Sequence, residues 1–464
     1  MKKTGVALLG GWCVMALAGC MMGPDYHRPS VDTPPAWREM AGWKQAQPQA
    51  VVSGDWWKIY HDPVLDGLER QVSLGNQTVQ QAQAQYRQAA ALLSATMAGF
   101  WPTITAGTSS TSSQTNSTMY TVRNSPTVTL DKLSLNANWT LDIWGELRRE
   151  AEAGEATAAA SQATAQAALL TAQATLAESY LQLRVLDADA RMLRNTVEAN
   201  QHTLDITRNL YASGVDTEYD VAQAQTQVKT VQAQLIDLGV LRAQLEHAIA
   251  LLMGKPPAEF RLAESDAVPA LPDIPAGVPS QLLEHRPDIA AAERQMAAAN
   301  AQIGVAQAAF FPTLTLGGVF GYQSLSYSNL VSTPNRYWSY GPALVGTLFD
   351  GGILSAQKAQ AVAAYDASVA NYRQTVLTGF QEVEDDLATL HVLAQENDVQ
   401  RQAVESARRA LAVSQHQYEA GTVNYINVLA AQIVALSAEK AQIDILGRQL
   451  VASAGLVTAL GGLW

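Results

Sequence analysis

The chain is an internal duplication, and this feature constrains its fold more than any other. Residues 100–105 read Phe-Trp-Pro-Thr-Ile-Thr, and residues 310–315 repeat them as Phe-Phe-Pro-Thr-Leu-Thr, 210 positions later. A Tyr-x-x-Gly motif that ends at Gly214 returns at Gly421, with an offset of 207 positions. Self-similarity at a nearly fixed offset is typical of repeat architectures, so we expect two copies of one structural unit.

Each copy is predicted to contain a helix, two strands, a very long helix, a sharp turn and a return helix. The long helices are predicted over about 145–212 and 353–420, since both segments are rich in Ala and Gln and contain no Pro. At about 1.5 Å per residue, each would reach roughly 100 Å. The return helices are predicted over about 217–252 and 424–460, where apolar residues recur at coiled-coil spacing. An amphipathic helix of a soluble bundle also has this spacing, but the length and the duplication favour long rods.

The strand pairs are predicted over about 101–142 and 311–349, because apolar and polar residues alternate there, most clearly over residues 133–141. Such strands have one apolar and one polar face, as transmembrane strands do. Aromatic rings are favoured at a membrane interface, although the surfaces of soluble β-sandwiches carry them as commonly. The candidate interface aromatics are Trp139, Tyr337, Trp338 and Tyr340.

Two hairpins provide only four strands, whereas a closed barrel with a filled or open interior needs about eight. Open strand edges are not tolerated in lipid. One chain therefore cannot close a membrane barrel, and several chains are required. The strand count alone does not fix their number.

The first residues have the form of a bacterial lipoprotein signal. Lys2 and Lys3 precede an apolar stretch that ends in Leu-Ala-Gly before Cys20. Removal of residues 1–19 by cleavage before Cys20 would leave this cysteine to carry diacylglycerol and a further acyl chain. Stable anchoring requires more than one acyl chain. Met21 stands where an Asp would favour retention in the inner membrane, so the outer membrane is favoured.

The composition argues against several other classes of function. The formal net charge is −12, and loss of Lys2 and Lys3 makes it more negative, so nucleic acid is not an expected partner. The seven histidines show no metal-ligand spacing, and no nucleophile elbow or phosphate-binding loop is present. Residues 382–386 carry four carboxylates on a predicted helix, where a solvated or docking face is favoured over acid–base chemistry. We predict no enzyme activity, catalytic residue, metal or cofactor.

Four motifs together resemble the TolC/NodT-like outer-membrane factors over nearly the whole mature chain. Residues 23–29 read Gly-Pro-Asp-Tyr-His-Arg-Pro, and residues 282–289 read Leu-Leu-Glu-His-Arg-Pro-Asp-Ile. Residues 310–312 read Phe-Phe-Pro, and residues 460–464 read Leu-Gly-Gly-Leu-Trp. The resemblance implies a mainly α fold with a transmembrane β-barrel part. It also implies a homotrimer whose twelve-stranded β-barrel continues into a periplasmic α-helical barrel.

The resemblance also implies a function. The chain would be the outer-membrane exit duct of a tripartite efflux pump, passively conducting drugs or other small molecules. A periplasmic adaptor (membrane fusion protein) and an inner-membrane transporter of the RND type would be its partners, with outer-membrane lipid around it. The alternatives are a structural coiled-coil lipoprotein, which leaves the strand pairs unexplained, and the exit channel of type I secretion.

The family has a periplasmic tip that closes, and the resemblance places its turns at Gly214 and Gly421, where a left-handed glycine suits a tight reversal. A helix C-cap without a gating role would need the same glycines. The family often carries an Asp at the position of Asp220 that bonds to a neighbouring helix. Together with Asp216 and Glu218, Asp220 could form a carboxylate ring that favours cations. The alternative is that these three residues are a solvated acidic helix end. The predicted tip residues are Tyr211, Gly214, Asp216, Glu218, Asp220, Tyr418, Gly421, Asn424 and Asn427.

The second copy departs from the family pattern, because Asn427 stands where Asp is common, Ala430 replaces an acidic residue, and Val423 stands where some members carry Arg. Tyr418, Asn424 and Asn427 would then close the tip by packing and hydrogen bonds. The predicted organisation is a signal over 1–19, a lipidated extended segment over 20–61, a first repeat over 62–260, a linker over 261–285 and a second repeat over 286–464.

Overall fold

The structure is a computed structural model that describes residues 21–39, 54–114, 127–274 and 285–462. Seven α-helices and four β-strands lie within these residues. The helices are α1 (Pro63–Gly75), α2 (Gln77–Ala98), α3 (Glu146–Ala212), α4 (Glu218–Leu252), α5 (Pro287–Ala308), α6 (Ile353–Glu419) and α7 (Tyr425–Ala459). The strands are β1 (Thr103–Gln114), β2 (Thr127–Leu141), β3 (Thr313–Ser324) and β4 (Arg336–Val345).

The two sequence repeats fold into the same succession of elements. From α2 onward the first repeat contributes α2, β1, β2, α3 and α4, and the second contributes α5, β3, β4, α6 and α7, while α1 precedes this succession in the first repeat. Helices dominate and one sheet accompanies them, so the predicted fold class, mainly α with a β part, is confirmed. The domain boundaries given above remain predictions.

The long helices α3 and α6 contain 67 residues each. At 1.5 Å per residue each is about 100 Å long. Their composition explains this length, since Ala and Gln favour helix and no proline interrupts either segment. Within the part of the chain that the structure describes, no helix is both long and apolar enough to cross a membrane.

The chain forms two compact units, and both contain parts of both repeats. The strand unit comprises Met1–Ser30, Gln85–Ser161 and Ala291–Tyr372 and holds all four strands. The helix unit comprises Val31–Ala84, Gln162–Ala290 and Arg373–Trp464. The long helices α3 and α6 contribute residues to both units.

The strands form one antiparallel sheet in the order β1-β2-β3-β4. Within it, β1 and β4 are the edges, each paired on one side only. One face of β2 leaves apolar side chains exposed, since Leu133 is 39% and Leu135 51% exposed, while Ser134 on the opposite face is buried. A sheet with its apolar side chains outward fits an apolar surrounding, as the alternation in the sequence predicts.

The segment that follows Cys20 is bound tightly within the strand unit by one arginine. Arg149 is 1% exposed, and its guanidinium donates to the carbonyl oxygens of Met22, at 3.0 Å, and Gly23, at 3.3 Å. It also donates to the Asp25 carboxylate at 2.8 Å. The Met22 N–H donates to the Trp144 carbonyl oxygen at 3.1 Å, just after β2 ends. Residues 22–25 are therefore fixed to the start of α3.

Two glycines allow the same segment to approach α5. A Cβ atom at Gly23, whose φ is +92°, would lie 2.4 Å from the Cα atom of Gly304, so neither position has room for a side chain. The Asn300 amide donates to the Pro24 carbonyl oxygen at 2.9 Å. The Gly-Pro-Asp-Tyr motif therefore packs against α5.

A buried ion network organises the helix unit. The Asp187 carboxylate, 2% exposed, accepts from Arg184 at 3.0 Å and from Arg242 on α4 at 2.9 Å. The two arginines also donate to the carbonyl oxygens of Ala263 and Leu262, which follow α4. Because each buried charge has a partner of opposite sign, the network attaches the segment after α4 to α3 without leaving an unpaired ion.

The carboxyl group of Glu69 lies in the core of the helix unit. The buried face of α1 consists of Leu65, Leu68, Glu69 and Val72, at helical spacing. Glu69 is fully buried, and neither of its carboxyl oxygens has a hydrogen-bond partner within the described residues. Burial raises the pKa of this carboxyl group to about 9, so it is protonated at neutral pH.

Candidate gate at the helix turns

The two helix-to-helix turns have the same backbone geometry, centred on the predicted glycines. Gly214 has a φ of +78° and Gly421 a φ of +71°. After α3, the N–H of Val215 donates to the Leu210 carbonyl oxygen at 2.9 Å, and after α6, the N–H of Thr422 donates to Gln417 at 2.9 Å. These bonds form the Schellman motif, in which a left-handed glycine ends a helix. The repeated Tyr-x-x-Gly therefore encodes a repeated chain reversal.

The helix that begins after the first turn is capped by its own side chains. The Thr217 hydroxyl accepts from the N–H of Asp220, and the Asp220 carboxylate accepts from the Thr217 N–H at 3.2 Å. This capping box satisfies donors that the first turn of a helix leaves free. Asn424 occupies the equivalent position before α7 and makes no side-chain cap. The first turn is thus held more firmly than the second.

Tyr418, near the end of α6, connects the second copy to the first. Its hydroxyl lies 2.8 Å from Thr207 Oγ1 on α3 and donates to the Asp216 carboxylate in the first turn. Burial, and then the bond to Asp216, raise the pKa of this hydroxyl further above its ordinary value. Tyr418 therefore keeps its proton and remains a donor. Within the chain, Asp216 makes the bond across to α6, whereas the resemblance had suggested Asp220.

A small apolar core surrounds this hydrogen bond. Tyr418 and Tyr425 are both buried, with ring centroids 5.9 Å apart. Leu204, Ala224, Val228 and Val428 complete the core. Burial, with the Asp220 charge as a second cause, raises the pKa of Tyr425 to about 12. All four helices meet in this core, so separating them there exposes apolar surface and breaks the Tyr418 bond.

The remaining predicted tip residues lie at the surface. Tyr211 is 47% exposed, and Glu218 is exposed at the start of α4. Asn424 and Asn427 are exposed, and the side-chain amide of Asn427 donates to the carbonyl oxygen of Asn424 at 3.4 Å. Among the described residues, no hydrogen bond joins either asparagine to Tyr418, Thr207 or Asp216. The sequence analysis selected neither Thr207, which hydrogen-bonds to Tyr418, nor Tyr425, which lies in the apolar core.

Three of the four predicted interface aromatics share one face of the sheet. Trp139 of β2 pairs with Leu316 of β3, and Trp338 of β4 pairs with Phe320 of β3, so the two tryptophans flank β3 with an offset of four residues, about 13 Å, along the strand direction. Tyr340 is 79% exposed and stacks on Trp338 at a centroid distance of 5.7 Å.

Tyr337 differs from this group. Successive strand residues point to opposite faces, so Tyr337 lies on the face away from Trp338. It is partly buried, with the Lys132 ammonium 5.3 Å from its ring centroid. The structure therefore does not place Tyr337 with the other three aromatics.

Cys20, the remaining predicted site residue, lies outside the described residues. Among the residues that are described, no group of three or more His, Cys, Asp and Glu side chains is arranged to hold a metal ion.

Comparison with known proteins identifies the family. The sequence profile described as "Outer membrane efflux protein" matches residues 69–255 and, a second time, residues 278–462. The chain belongs to the outer membrane efflux protein family. The first match lies within the first repeat, and the second covers the second repeat from residue 278 in the predicted linker, so each copy of this efflux protein matches the family profile separately.

Curated relatives of this outer membrane efflux protein match it over almost their full length. The pyoverdine export outer membrane protein OpmQ of Pseudomonas aeruginosa is 31% identical, covering 97% of this chain and 95% of the relative. The toluene efflux pump outer membrane protein TtgC of Pseudomonas putida is 29% identical, over 97% of this chain and 93% of the relative.

The fold agrees with solved members of the efflux protein family. The outer-membrane channel OprN superimposes with a TM-score of 0.90 and 29% identity, over 96% of this chain and 99% of that one. The outer membrane protein VceC of Vibrio cholerae gives a TM-score of 0.81 and 28% identity, over 88% of this chain and 98% of that one. This efflux protein is therefore an outer-membrane channel, which confirms the predicted family, function and location.

Proposed function

We propose that three copies of this chain assemble into the exit duct of a tripartite pump. The observation that carries the proposal is the open sheet, whose edge strands β1 and β4 are each paired on one side only. In lipid such edges must be paired, and pairing β4 of one copy with β1 of the next satisfies both. Three copies give twelve strands, enough for an open barrel, whereas two give eight. A structural coiled-coil spacer would need no such sheet.

The long helix α6 supports assembly independently. Val392, Val399 and Val413 are 57%, 69% and 50% exposed, and they are separated by one and two heptads. An exposed apolar stripe at this spacing is typical of a helix that packs against another helix in a coiled coil. In the assembled duct this stripe would be covered by a neighbouring copy, and the helices would form the periplasmic α-helical barrel.

The duct would act passively and would be no enzyme. We assign it a periplasmic adaptor and an inner-membrane RND-type transporter as partners, the transporter supplying the energy. Small organic molecules would be its cargo. The names of two relatives support a varied cargo of small organic molecules, since one is assigned to pyoverdine export and another to toluene efflux.

The turns at Gly214 and Gly421 would form the periplasmic tip, with Tyr418, Tyr425 and Asp216 holding it closed. Threefold repetition would bring Asp216, Glu218 and Asp220 into a carboxylate ring that favours cations. Asp216 and Asp220 also have structural bonds within the chain, so Glu218 is the carboxylate left for the pore.

Glu218→Gln is expected to weaken the preference of the channel for cations, because it removes one carboxylate per chain from the ring. The measurement is the ion selectivity of single channels, and unchanged selectivity would show that Glu218 does not line the pore.

The number of chains is tested by native mass spectrometry of the protein extracted from the outer membrane in detergent. We expect a particle of three chains, each close to the 49.7 kDa of the full chain less its signal, plus lipid. A stable monomer would leave four unclosed strands in lipid, and the proposed duct would have to be abandoned.

Acylation of Cys20 is tested by the same measurement on Cys20→Ala. We expect the variant to lose the mass of its acyl chains but to remain a trimer in the outer membrane, because the sheet supplies its own apolar surface. Monomers released into the periplasm would show that the lipid, rather than the sheet, holds the protein in the membrane. Identical masses for the variant and wild type, after correction for the substitution, would exclude acylation at Cys20.

A further inference from the structure

A pit of about 300 Å³ lies in the face of the sheet that carries Trp338 and Tyr340. Two small residues that pair with each other, Ala137 of β2 and Gly318 of β3, form its floor. Ile104 of β1 pairs with Ala137, and Tyr340 of β4 pairs with Gly318, so these two larger side chains stand on either side of the floor. The pit is therefore an apolar depression that spans all four strands.

Gly318 gives the pit its depth because it has no side chain. A Cβ atom at this position would approach no residue beyond its chain neighbours more closely than 3.8 Å, which is ordinary van der Waals contact with the Tyr340 Cβ atom. Gly318 is also absent from the glycines with positive φ. Neither space nor backbone conformation therefore requires glycine here. Glycine weakens the interior of a strand, and it often marks a place where a ligand approaches the backbone closely.

Arg336 carries a positive charge on the same face of the sheet. It lies two residues before Trp338, at the end of β4 opposite to the end that leads into α6, and its side chain is exposed. Arg336 forms no ion pair with any residue that the structure describes. Asp131 is the other charged strand residue described on this face, but it is buried and lies two strands away. The guanidinium of Arg336 is therefore available to an anion beside an apolar surface.

One lipid molecule can reach both Arg336 and the pit. Arg336 pairs with Tyr322, which is four residues from Gly318, so the two sites are about 13 Å apart along β3. The hydrocarbon of one leaflet is about 15 Å deep, half of the bilayer core. An acyl chain of a lipid whose phosphate is at Arg336 can therefore pass over Phe320 and enter the pit. A guanidinium binds two phosphate oxygens at once, and the pit offers an apolar surface to the chain.

We propose that this face binds one phosphate-bearing lipid of the outer leaflet per chain. The guanidinium of Arg336 donates to the phosphate oxygens, the rings of Trp338 and Tyr340 contact the acyl chain, and the chain occupies the space over Gly318. The leaflet rests on the proposed duct, which places the sheet in the outer membrane with the helices on the periplasmic side. A lipid without a phosphate makes only the apolar contacts, so the head group selects the lipid.

The test uses the full-length protein in detergent, and native mass spectrometry counts the lipids that it retains during titration. The probes are dioleoyl phosphatidic acid and dioleoylglycerol, which have the same acyl chains and differ in the phosphate. We expect wild type to bind phosphatidic acid about tenfold more tightly, because dioleoylglycerol lacks the charged hydrogen-bond acceptor. Arg336→Gln should abolish this preference. Gly318→Val should weaken both lipids about tenfold, because it displaces about two methylene groups of the chain from the pit.

Two control variants match these substitutions. Gly317→Val places the same side chain one residue earlier, on the opposite face of the sheet, where a Cβ atom has open space. Arg87→Gln removes the same charge from an exposed position on α2. Both controls should bind the two lipids as wild type does. Circular dichroism verifies that each variant folds.

Three results would overturn the proposal. They are equal binding of the two lipids by wild type, a preference that survives Arg336→Gln, and binding that Gly318→Val leaves unchanged. The same spectra count the chains in each particle. A monomer would contradict the proposed duct, whereas a trimer without lipid preference would contradict only the lipid site.

Discussion

Glu69→Gln is expected to stabilise the folded protein at pH 7 by about 3 kcal/mol per chain. The reason is that the buried wild-type carboxyl, which has no hydrogen-bond partner among the described residues, must take up a proton on folding, whereas glutamine is neutral in both states. Its pKa rises from 4.5 to about 9 in the folded protein. Each pH unit above the unfolded pKa costs about 1.4 kcal/mol until the folded pKa is reached.

The sign of the pH dependence follows from the raised pKa. The free energy of unfolding of wild type is not reduced by ionisation of Glu69 below pH 4.5, and it falls progressively as the pH rises from 4.5 to 9. Wild type should therefore lose stability between pH 5 and pH 8 faster than Glu69→Gln. The measurement is denaturant unfolding of the helical circular dichroism signal at pH 5, 7 and 8.

Glu405→Gln is the control, because Glu405 is exposed on α6 and its replacement should change little. If Glu69→Gln and wild type keep a constant difference from pH 5 to pH 8, Glu69 does not bind a proton on folding. Its carboxylate would then have a partner in the assembled protein.

Tyr418→Phe is expected to shift the tip toward its open state about tenfold or more per chain. The substitution keeps the ring in the core but removes the hydroxyl that donates to Asp216. A hydrogen bond to a charged group contributes about 1.5–3 kcal/mol. An open tip that separates α6 from the first turn does not contain this bond, so its loss destabilises only the closed state. The effect is measured as the fraction of time that single channels spend in the high-conductance state in planar bilayers.

Tyr425→Phe is the matched control for this prediction. Tyr425 is buried in the same core, its ring contacts that of Tyr418, and its hydroxyl makes no hydrogen bond within the described residues. The variant should conduct as wild type does. An open fraction in Tyr418→Phe equal to that of the control would mean that packing, rather than the Tyr418 bond, closes the tip.

The elements of the fold were predictable because they depend on local patterns. Absence of proline and richness in Ala and Gln predict α3 over 145–212, and the helix is found over Glu146–Ala212. The alternation around residues 133–141 predicts β2, which ends at Leu141. The Tyr-x-x-Gly motif predicts the turns, where both glycines have positive φ.

The contacts between elements were less predictable, since they depend on which helix faces meet. Asp216 and Asp220 are equally acidic in the sequence, yet Asp220 caps α4 while Asp216 receives the Tyr418 bond. Glu69 stands in an apolar stripe, but the sequence alone does not say that no partner reaches it. Because side chains alternate along a strand, the sequence itself indicates that Tyr337 and Trp338 point to opposite faces.

The Arg149 contacts have a mechanical consequence for the beginning of the mature chain. Met22 and Gly23 are bound through their carbonyl oxygens to α3, and the Met22 N–H bonds to Trp144, three residues after β2 ends. Only Met21 separates Cys20 from these bonds. A lipid on Cys20 would therefore be attached next to the junction between β2 and α3. The depth of its acyl chains in the inner leaflet would set the height of that junction, and a force on the lipid would pass directly into α3.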